Sequence, residues 1–227
     1  MAAHLLDRPA WAALNSRHAH LALGDGRARR YDPAFAAFLA VGGDDPQSLA
    51  DMADLMAPDE TAVILQVGSV ALPATLQIEQ ASAGLQMVGP AFGDAVTDDE
   101  IAPLGPADAP EMLDLARLTR PGPFKAGALA LGRFWGVRRG GRLAAMAGER
   151  MSLPGYTEVS GVCAHPDFQG QGLARRLSAF VAAQVRARGD TPFLHAYATN
   201  APAIRLYSGL GFEVRAEVQV AVVSRTD

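Results

Sequence analysis

The sequence predicts an α/β protein in which a twisted mixed β-sheet is flanked by helices. Apolar residues make up 49% of the 227 residues and charged residues only 19%, which supplies enough material for a packed core. In the second half of the chain, short apolar segments bounded by Gly or Pro alternate with segments of helical spacing. This alternation is typical of a sheet covered by helices, and it underlies the assignments below.

Composition excludes several classes of function. The formal net charge is −4, which argues against a nucleic-acid partner because such proteins carry a basic face. Cys163 is the one cysteine, so the chain can form neither an internal disulfide nor a cysteine-based zinc cluster, and we expect no metal. The apolar runs are too short to span a membrane, and the beginning of the sequence lacks the layout of a signal peptide. We expect a cytoplasmic protein without a membrane partner.

The first half of the chain has few clear signals, and we expect residues 1–96 to form a smaller N-terminal α/β region of unknown role. A boundary is predicted near residue 97, where Gly, Pro and Asp are crowded. The elements expected before it are a hairpin at 18–31 with its turn at Gly24 to Gly26, a helix at 46–56, a strand at 61–67, and two short strands at 74–78 and 85–88.

Residues 97–227 have a more regular pattern and form the second predicted domain. Helical spacing of apolar residues is clearest over 172–188, with Gly189 as the expected C-terminal cap. The other expected elements are an extended segment at 101–104, a helix at 108–118, a hairpin of 134–137 with 143–151, strands at 156–164 and 193–198, a short helix after Asn200, and strand structure over 212–223.

The most informative segment runs from Val162 to Ala174, with the sequence Val-Cys-Ala-His-Pro-Asp-Phe-Gln-Gly-Gln-Gly-Leu-Ala. It leads from a strand through a glycine-rich loop into a long helix. Gly170 and Gly172 allow the backbone to approach a ligand closely, and the free amides at the helix start favour an anion. The pattern therefore indicates a cradle for a pyrophosphate, with a plain turn before a helix as the alternative.

A second motif follows about 30 residues after Gln169. The segment Asn-Ala-Pro-Ala-Ile-Arg-Leu-Tyr-Ser-Gly-Leu-Gly-Phe covers residues 200–212. Together with the Gln-Gly-Gln-Gly-Leu-Ala run that begins at Gln169, it resembles the GCN5-related N-acetyltransferase (GNAT) superfamily, and within it the FR47-like or glycine-acyltransferase-like C-terminal branch. The motifs cover about residues 158–212. The resemblance implies the GNAT-type sheet for 97–227, and nothing carries over to residues 1–96.

The resemblance also implies a co-substrate, acetyl-CoA or another acyl-CoA. In such enzymes the backbone of the strand before the loop pairs with the pantetheine arm, the loop amides bind the pyrophosphate, and the Asn of the second motif contacts the pantetheine region. On this sequence those positions are Val162, Cys163 and Ala164, then Gln169, Gly170, Gln171, Gly172, Leu173 and Ala174, and finally Asn200. A simple helix cap is the alternative role of Asn200.

The resemblance also suggests catalytic residues. Tyr207 matches the family tyrosine that lies near the thioester sulfur, where its hydroxyl can protonate the leaving thiolate. Glu158 matches the glutamate of the histone-acetyltransferase branch, and partial burial would raise its pKa toward that of a base working near neutral pH. The alternatives are a helix-closing role for Tyr207 and an ion pair of Glu158 with Arg150 or Arg133. Glu149 is the second candidate base.

Other reactive side chains have simpler explanations. Cys163 fits a core residue better than a covalent nucleophile. His18 and His20 alternate like two metal ligands, but no third ligand is spaced to complete a site. His165, Arg175 and Arg176 stand near the expected phosphates and serve equally well as solvated residues. Phe124, Phe134 and Trp135 can line an acceptor groove or belong to the core.

The predicted reaction is transfer of an acetyl group from acetyl-CoA to the primary amine of a small molecule or peptide, by direct attack in a ternary complex. The main alternative is a non-catalytic acyl-CoA sensor or interaction module, and a DNA-binding regulator is disfavoured by the acidic balance. We expect a monomer or homodimer. The loops 120–127 and 153–155 are expected to select the acceptor, and the N-terminal region to pack beside them.

Overall fold

The computed structural model describes residues 4–90 and 93–226. Its strands, in chain order, are β1 (Ala22–Leu23), β2 (Ala28–Tyr31), β3 (Leu39–Val41), β4 (Thr61–Val67), β5 (Leu76–Val88), β6 (Ile101–Leu104), β7 (Phe134–Arg139), β8 (Arg142–Leu153), β9 (Tyr156–Ala164), β10 (Thr191–Tyr197) and β11 (Glu213–Arg225). Its α-helices are α1 (Pro9–Leu14), α2 (Pro46–Asp54), α3 (Ala109–Thr119), α4 (Leu173–Ala187) and α5 (Ala201–Ser208).

Eight of these strands form one mixed sheet in the order β4-β11-β5-β10-β9-β8-β7-β6. β9 and β10 run parallel, and the other neighbouring strands of this sheet are antiparallel. A small antiparallel sheet of β1, β2 and β3 lies beside it and touches it through a bridge between Phe38 and Val63. The predicted class, a twisted mixed sheet flanked by helices, is confirmed.

The strand β5 differs from the sequence prediction. The two short strands expected at 74–78 and 85–88 are one continuous strand of 13 residues. It lies between β10 and β11: residues 84–88 pair with both strands, whereas the exposed and largely polar residues 77–81 pair with β11 alone. The ladder with the long strand β11 therefore holds the whole segment in one strand. The sheet therefore takes strands from both sides of residue 97, and the boundary proposed there stays a prediction about organisation.

The two faces of the sheet have different covers. The apolar stripe of α4, with Leu173, Leu177 and Val181, packs on one face against Val159 of β9. The part of the chain before β4, called the N-terminal segment below, covers the other face. Its residues Leu14 and Phe38 belong to the same buried cluster as side chains of β8, β10 and β11. The expectation that this segment packs against the rest of the chain is confirmed, and it fixes one wall of the cleft described below.

In the described ranges no group of three or more His, Cys, Asp or Glu side chains is placed to hold a metal ion. None of the helices described there is long and apolar enough to cross a membrane. His18 is a buried core residue, and its Nδ1 lies 2.9 Å from the hydroxyl of Tyr31. Burial, reinforced by the neighbouring His20, lowers the pKa of His18 from 6.5 to about 4.

This buried histidine predicts a loss of stability in mild acid. Between pH 6.5 and 4 the unfolded chain binds a proton at His18 that the folded chain does not, so stability is complete above this range and falls as the pH drops through it. We expect a loss of about 2 kcal/mol between pH 7 and pH 5 from this group. Urea unfolding at the two pH values should show a smaller difference in His18→Gln than in the wild type.

The control for this test is His165→Gln in the loop after β9. It removes a histidine outside the core and should keep the pH dependence of the wild type. An equal change in both variants would contradict the assignment of the effect to His18.

Candidate active site

The site begins where two parallel strands separate. β9 and β10 pair over Tyr156–Glu158 and Thr191–Phe193. Beyond that point β9 continues to Ala164 beside β8, and β10 continues to Tyr197 beside β5. In the described residues no further pairing joins the two strands, so a gap opens between their carboxyl-terminal halves. We call this separation the fork.

A cleft of about 160 Å³ fills the fork. Its walls come from β9, β10 and α5, from the loop after α3, and from the N-terminal segment. The lining residues include 159–162 and 195–197 of the two strands, Asn200, Ala203 and Tyr207, the loop 120–123, and Phe38, Val63 and Leu65. The cleft therefore brings Val162 and Asn200 of the predicted cofactor-binding residues together with Phe38, Val63 and Leu65 from the first part of the chain.

A β-bulge bends β9 beside the cleft. The register between β8 and β9 shifts between Met146 and Gly148, where Gly161 and Val162 stand opposite one residue. Gly161 has φ +64, and a Cβ there would lie 3.0 Å from the Phe134 ring, so a glycine is required for both conformation and space. Bulges of this kind re-aim backbone groups, here at the edge of β9 that faces the fork.

The predicted cradle forms an exposed loop at the start of α4. Gly170 and Gly172 have φ +77 and +72, and a Cβ at either position would meet nothing within 4 Å. Their conformation, and not crowding by the protein, therefore requires glycine. α4 begins at Leu173 immediately after this loop, and its first-turn amides and dipole favour an anion there. The open space above the loop fits a pyrophosphate.

The basic side chains near this loop are already engaged. Arg175 donates a hydrogen bond of 2.9 Å to the carbonyl of Gly209. Arg176 forms ion pairs with Asp98 and Glu100 at 2.6 Å. His165 accepts a hydrogen bond from the backbone of the same loop and acts as a local cap. The anion-binding capacity of the cradle therefore comes mainly from backbone amides.

α5 brings the second motif to the same cleft. Asn200 caps the helix, because its side-chain oxygen accepts a hydrogen bond of 3.2 Å from the amide of Ala203. It also lines the cleft, so its two expected roles are compatible. Tyr207, in the last turn of α5, is 9% exposed and lies on the cleft wall. Burial raises the pKa of its hydroxyl to about 12, so it is protonated at neutral pH.

Glu158 lies at the base of the fork in a buried cluster of charged side chains. Its carboxylate accepts hydrogen bonds of 2.8 and 2.5 Å from Nε and Nη2 of Arg150. His195 on β10 donates from Nδ1 at 2.7 Å. A register shift between Glu149 and Ser152 sets two residues of β8 opposite Glu158, which turns Arg150 toward it.

The expected raised pKa of Glu158 is wrong. Burial alone would raise it, but the Arg150 guanidinium and the hydrogen bond from His195 lower it to about 2. The ion pair with Arg150, stated above as the alternative for Glu158, is therefore present. A carboxylate with such a pKa accepts a proton poorly near neutral pH, so a direct role as general base is disfavoured by this geometry.

The other nucleophilic or acidic candidates are also engaged. Glu149 pairs with Arg188 at 2.6 Å, and its side chain is 8% exposed. Cys163 belongs to the buried cluster beneath α3, and burial raises the pKa of its thiol to about 11. A thiol in that state is a poor nucleophile, so Cys163 offers the cleft only its backbone.

Some of the residues expected to bind the acceptor line the cleft, and others are buried in the core. Residues 120–123 of the loop after α3 line the cleft, whereas Leu153 is fully buried in the core. Phe134 and Trp135 are core residues as well. Phe124 packs edge-to-face on Phe134, at 5.7 Å between ring centroids, beside a smaller adjoining pocket.

Comparison with known proteins agrees with this geometry. Residues 134–221 match the model of the FR47-like protein family. A GNAT-family protein from Novosphingobium aromaticivorans is 40% identical in sequence, with a TM-score of 0.92, and the match covers 99% of this chain and 100% of that one. The chain belongs to the GNAT family. Acyl transfer is therefore the general chemistry of this protein.

Two more distant GNAT structures share the fold. A GCN5-related N-acetyltransferase from Kribbella flavida has 17% identity and a TM-score of 0.64, covering 97% of this chain and 96% of that one. A GCN5-related N-acetyltransferase-like protein from Streptococcus suis has 16% identity and a TM-score of 0.58, covering 98% and 96%. Both align over the N-terminal segment too, so these GNAT structures share the whole architecture. No curated protein matches the sequence.

Sequence reasoning missed one side chain that lines the cleft, His195, and one buried side chain that contacts it, Gln86. His195 lies on the wall and contacts Glu158, and Gln86 of β5 donates a hydrogen bond of 3.0 Å to Nε2 of His195. The only available signal was a histidine inside an otherwise apolar strand. Gln86 carried no signal, because its position beside His195 depends on the insertion of β5 next to β10.

The buried ion pair predicts a large cost when one partner is removed. Glu158→Ala leaves the Arg150 guanidinium without a counter-charge, which should lower the free energy of unfolding by about 3–5 kcal/mol. The control is Asp114→Ala, which breaks an exposed pair with Arg117 and should cost less than about 1 kcal/mol. Urea unfolding measures both, and similar losses would contradict the importance of the buried pair.

Proposed function

We propose that this protein transfers an acetyl group from acetyl-CoA to a primary amine by direct attack within a ternary complex. The observation that carries the proposal is the fork, whose cleft is lined by Val162 of the first motif and by Asn200 and Tyr207 of the second. The strand that carries Val162 leads into the open glycine-rich loop. Phe38, Val63 and Leu65 line the same cleft and are proposed to face the second substrate. In the reaction the amine nitrogen bonds to the acyl carbon, and the carbon–sulfur bond breaks.

The residues proposed to hold acetyl-CoA fit its chemistry. We assign the pyrophosphate to the backbone of Gln169, Gly170, Gln171, Gly172, Leu173 and Ala174, because space is open at Gly170 and Gly172 and the first-turn amides of α4 follow directly. The edge of β9 over Val162, Cys163 and Ala164 is unpaired on its fork side in the described chain, so it can bond an extended amide-bearing arm. Asn200 borders the same path.

Tyr207 is the proposed general acid. Its hydroxyl is protonated at neutral pH, since burial raises its pKa to about 12. A leaving thiolate beside it would take this proton as the carbon–sulfur bond breaks. The position of Tyr207 on the wall between α5 and β9 supports this role.

For the base we propose that Glu158 acts through His195 and not directly on the amine. Nδ1 of His195 donates to Glu158, which leaves the lone pair on Nε2 as the proton acceptor. Gln86 donates to that nitrogen, so proton transfer from the amine requires the Gln86 amide to turn aside. His195 lies on the cleft wall, whereas Glu149 is held by Arg188.

Removing either proton-transfer group should slow the chemical step. Tyr207→Phe and His195→Gln are each expected to lower kcat by about 10²–10⁴-fold, because each deletes one general acid or base. Release of the CoA thiol with a panel of amines measures turnover, and calorimetry with acetyl-CoA measures binding. Binding should change little, because backbone amides supply most of the proposed contacts.

Tyr156→Phe is the control for these variants, since Tyr156 packs on Phe193 outside the cleft. Full turnover in Tyr207→Phe would remove the proposed acid. Tight acetyl-CoA binding by the wild type without thiol release from any amine would favour the acyl-CoA sensor over the enzyme.

The cradle predicts a selective effect of two matched glycine substitutions. Gly172→Ala places a side chain at φ +72, which costs about 1–2 kcal/mol and distorts the loop. Gly189 has φ +83 beyond the other end of α4, a helix of 15 residues that is about 22 Å long, and it has the same open surroundings. Both variants should lose similar stability, but only Gly172→Ala should weaken acetyl-CoA binding in calorimetry. Equal affinities would argue against the cradle.

A further inference from the structure

The charged residues that line the cleft have one sign. Arg120 and Arg150 are the arginines on its wall, and among the lining residues in the described ranges there is no Asp or Glu. The protein as a whole carries a net charge of −4, so this local excess runs against the general composition. A cleft lined in this way favours an anionic group on the molecule that it binds.

Arg150 offers a directed donor to the cleft. Its Nε and Nη2 are taken by Glu158, and its guanidinium lies 4.7 Å above the ring of Phe38. These contacts fix the plane of the group. Its Nη1 has no hydrogen-bond partner among the described residues, and Arg150 lines both the cleft and the smaller adjoining pocket, so this nitrogen is free to donate to a ligand.

Arg120 supplies the uncompensated charge. It ends α3 in the left-handed region with φ +50, a position that usually holds Gly or Asn. Within the described chain it forms no ion pair. Strained backbone of this kind concentrates at functional sites, and here it places an arginine where a glycine would be easier to accommodate.

Another part of the cleft wall is apolar. Phe38, Val63 and Leu65 come from the N-terminal segment and β4, and Val220 comes from β11. Beside the two arginines they form a surface suited to a short apolar group. The wall thus combines a subsite that can bind an anionic group with a subsite that can bind an apolar group.

We propose that the acceptor is a small primary amine that carries a carboxylate and an apolar substituent, as in a free apolar α-amino acid. This inference rests on the proposed function and names the acceptor class of the same site. Arg120 and Nη1 of Arg150 bind the carboxylate, and the Phe38–Val63–Leu65 wall contacts the apolar group. The carboxylate is unchanged by the reaction; the arginines orient the amine toward the acyl carbon.

The test compares acceptors that differ only in the carboxylate. Apolar amino acids such as leucine are assayed beside their amides and the corresponding decarboxylated amines, with acetyl-CoA as donor and thiol release as readout. The amides have the less basic amine and so more neutral nucleophile at a given pH, which biases the chemistry against our proposal. We expect kcat/KM to favour the carboxylates by about 10-fold or more, from charge-assisted hydrogen bonds.

Arg120→Gly tests the residue without threatening the fold. Glycine adopts φ +50 more easily than arginine, so the variant should be at least as stable as the wild type. We expect a higher KM for the carboxylates, little change for the amides, and loss of most of the preference. Arg120→Lys should retain part of it. Arg117→Gln, three residues earlier on the exposed side of α3, is the charge control and should keep the full preference.

The possible outcomes distinguish the proposed acceptor class from the proposed acetyltransferase activity. Acetylation of amines without a preference for carboxylates, or a preference that survives Arg120→Gly, overturns the acceptor class and leaves the acetyltransferase intact. Absence of thiol release with every amine overturns both. A preference that falls in Arg120→Gly and persists in Arg117→Gln supports the proposal.

Discussion

The separation of β9 from β10 is the constraint on which the rest of the site depends. Each strand keeps a full partner on its outer side, β8 for one and β5 for the other, so the sheet survives the gap. Polar contacts brace the base of the fork in addition to the apolar packing of Phe193. Glu158 on β9 receives hydrogen bonds from Arg150 and, across the fork, from His195. Directional bonds of this kind fix an opening more sharply than side-chain packing does.

Local features of the site could be predicted from the sequence because neighbours along the chain determine them. The strand–loop–helix from Val162 to Ala174 is set by two glycines at positive φ and the start of an amphipathic helix. The cap at Asn200 depends on an amide three residues later. In both segments the residues that define the motif also determine the local backbone conformation. The motifs were therefore enough to identify the parts of the chain that form the site.

Long-range features could not be predicted in this way. The pKa of Glu158 follows from Arg150, which a bulge in β8 turns toward it, and no local pattern encodes that bulge. The sequence predicted only that the N-terminal segment packs against the rest of the chain, not which of its residues line the cleft. The contribution of Phe38 and Leu65 to the cleft depends on a sheet that joins distant parts of the chain. The proposed acceptor side therefore depends on tertiary contacts, whereas the proposed cofactor side is encoded by a local sequence motif.

The insertion of β5 also shapes how the molecule forms. β5 pairs along its length with the final strand, with Leu76 opposite Arg225 and Val88 opposite Glu213. Contacts between such remote segments give a high contact order and slow folding, because a long loop must close before they form. During synthesis β5 leaves the ribosome long before its partner exists. Until β11 is synthesised, the edge of β5 that will pair with it has no partner, and an unpaired strand edge favours aggregation during that interval.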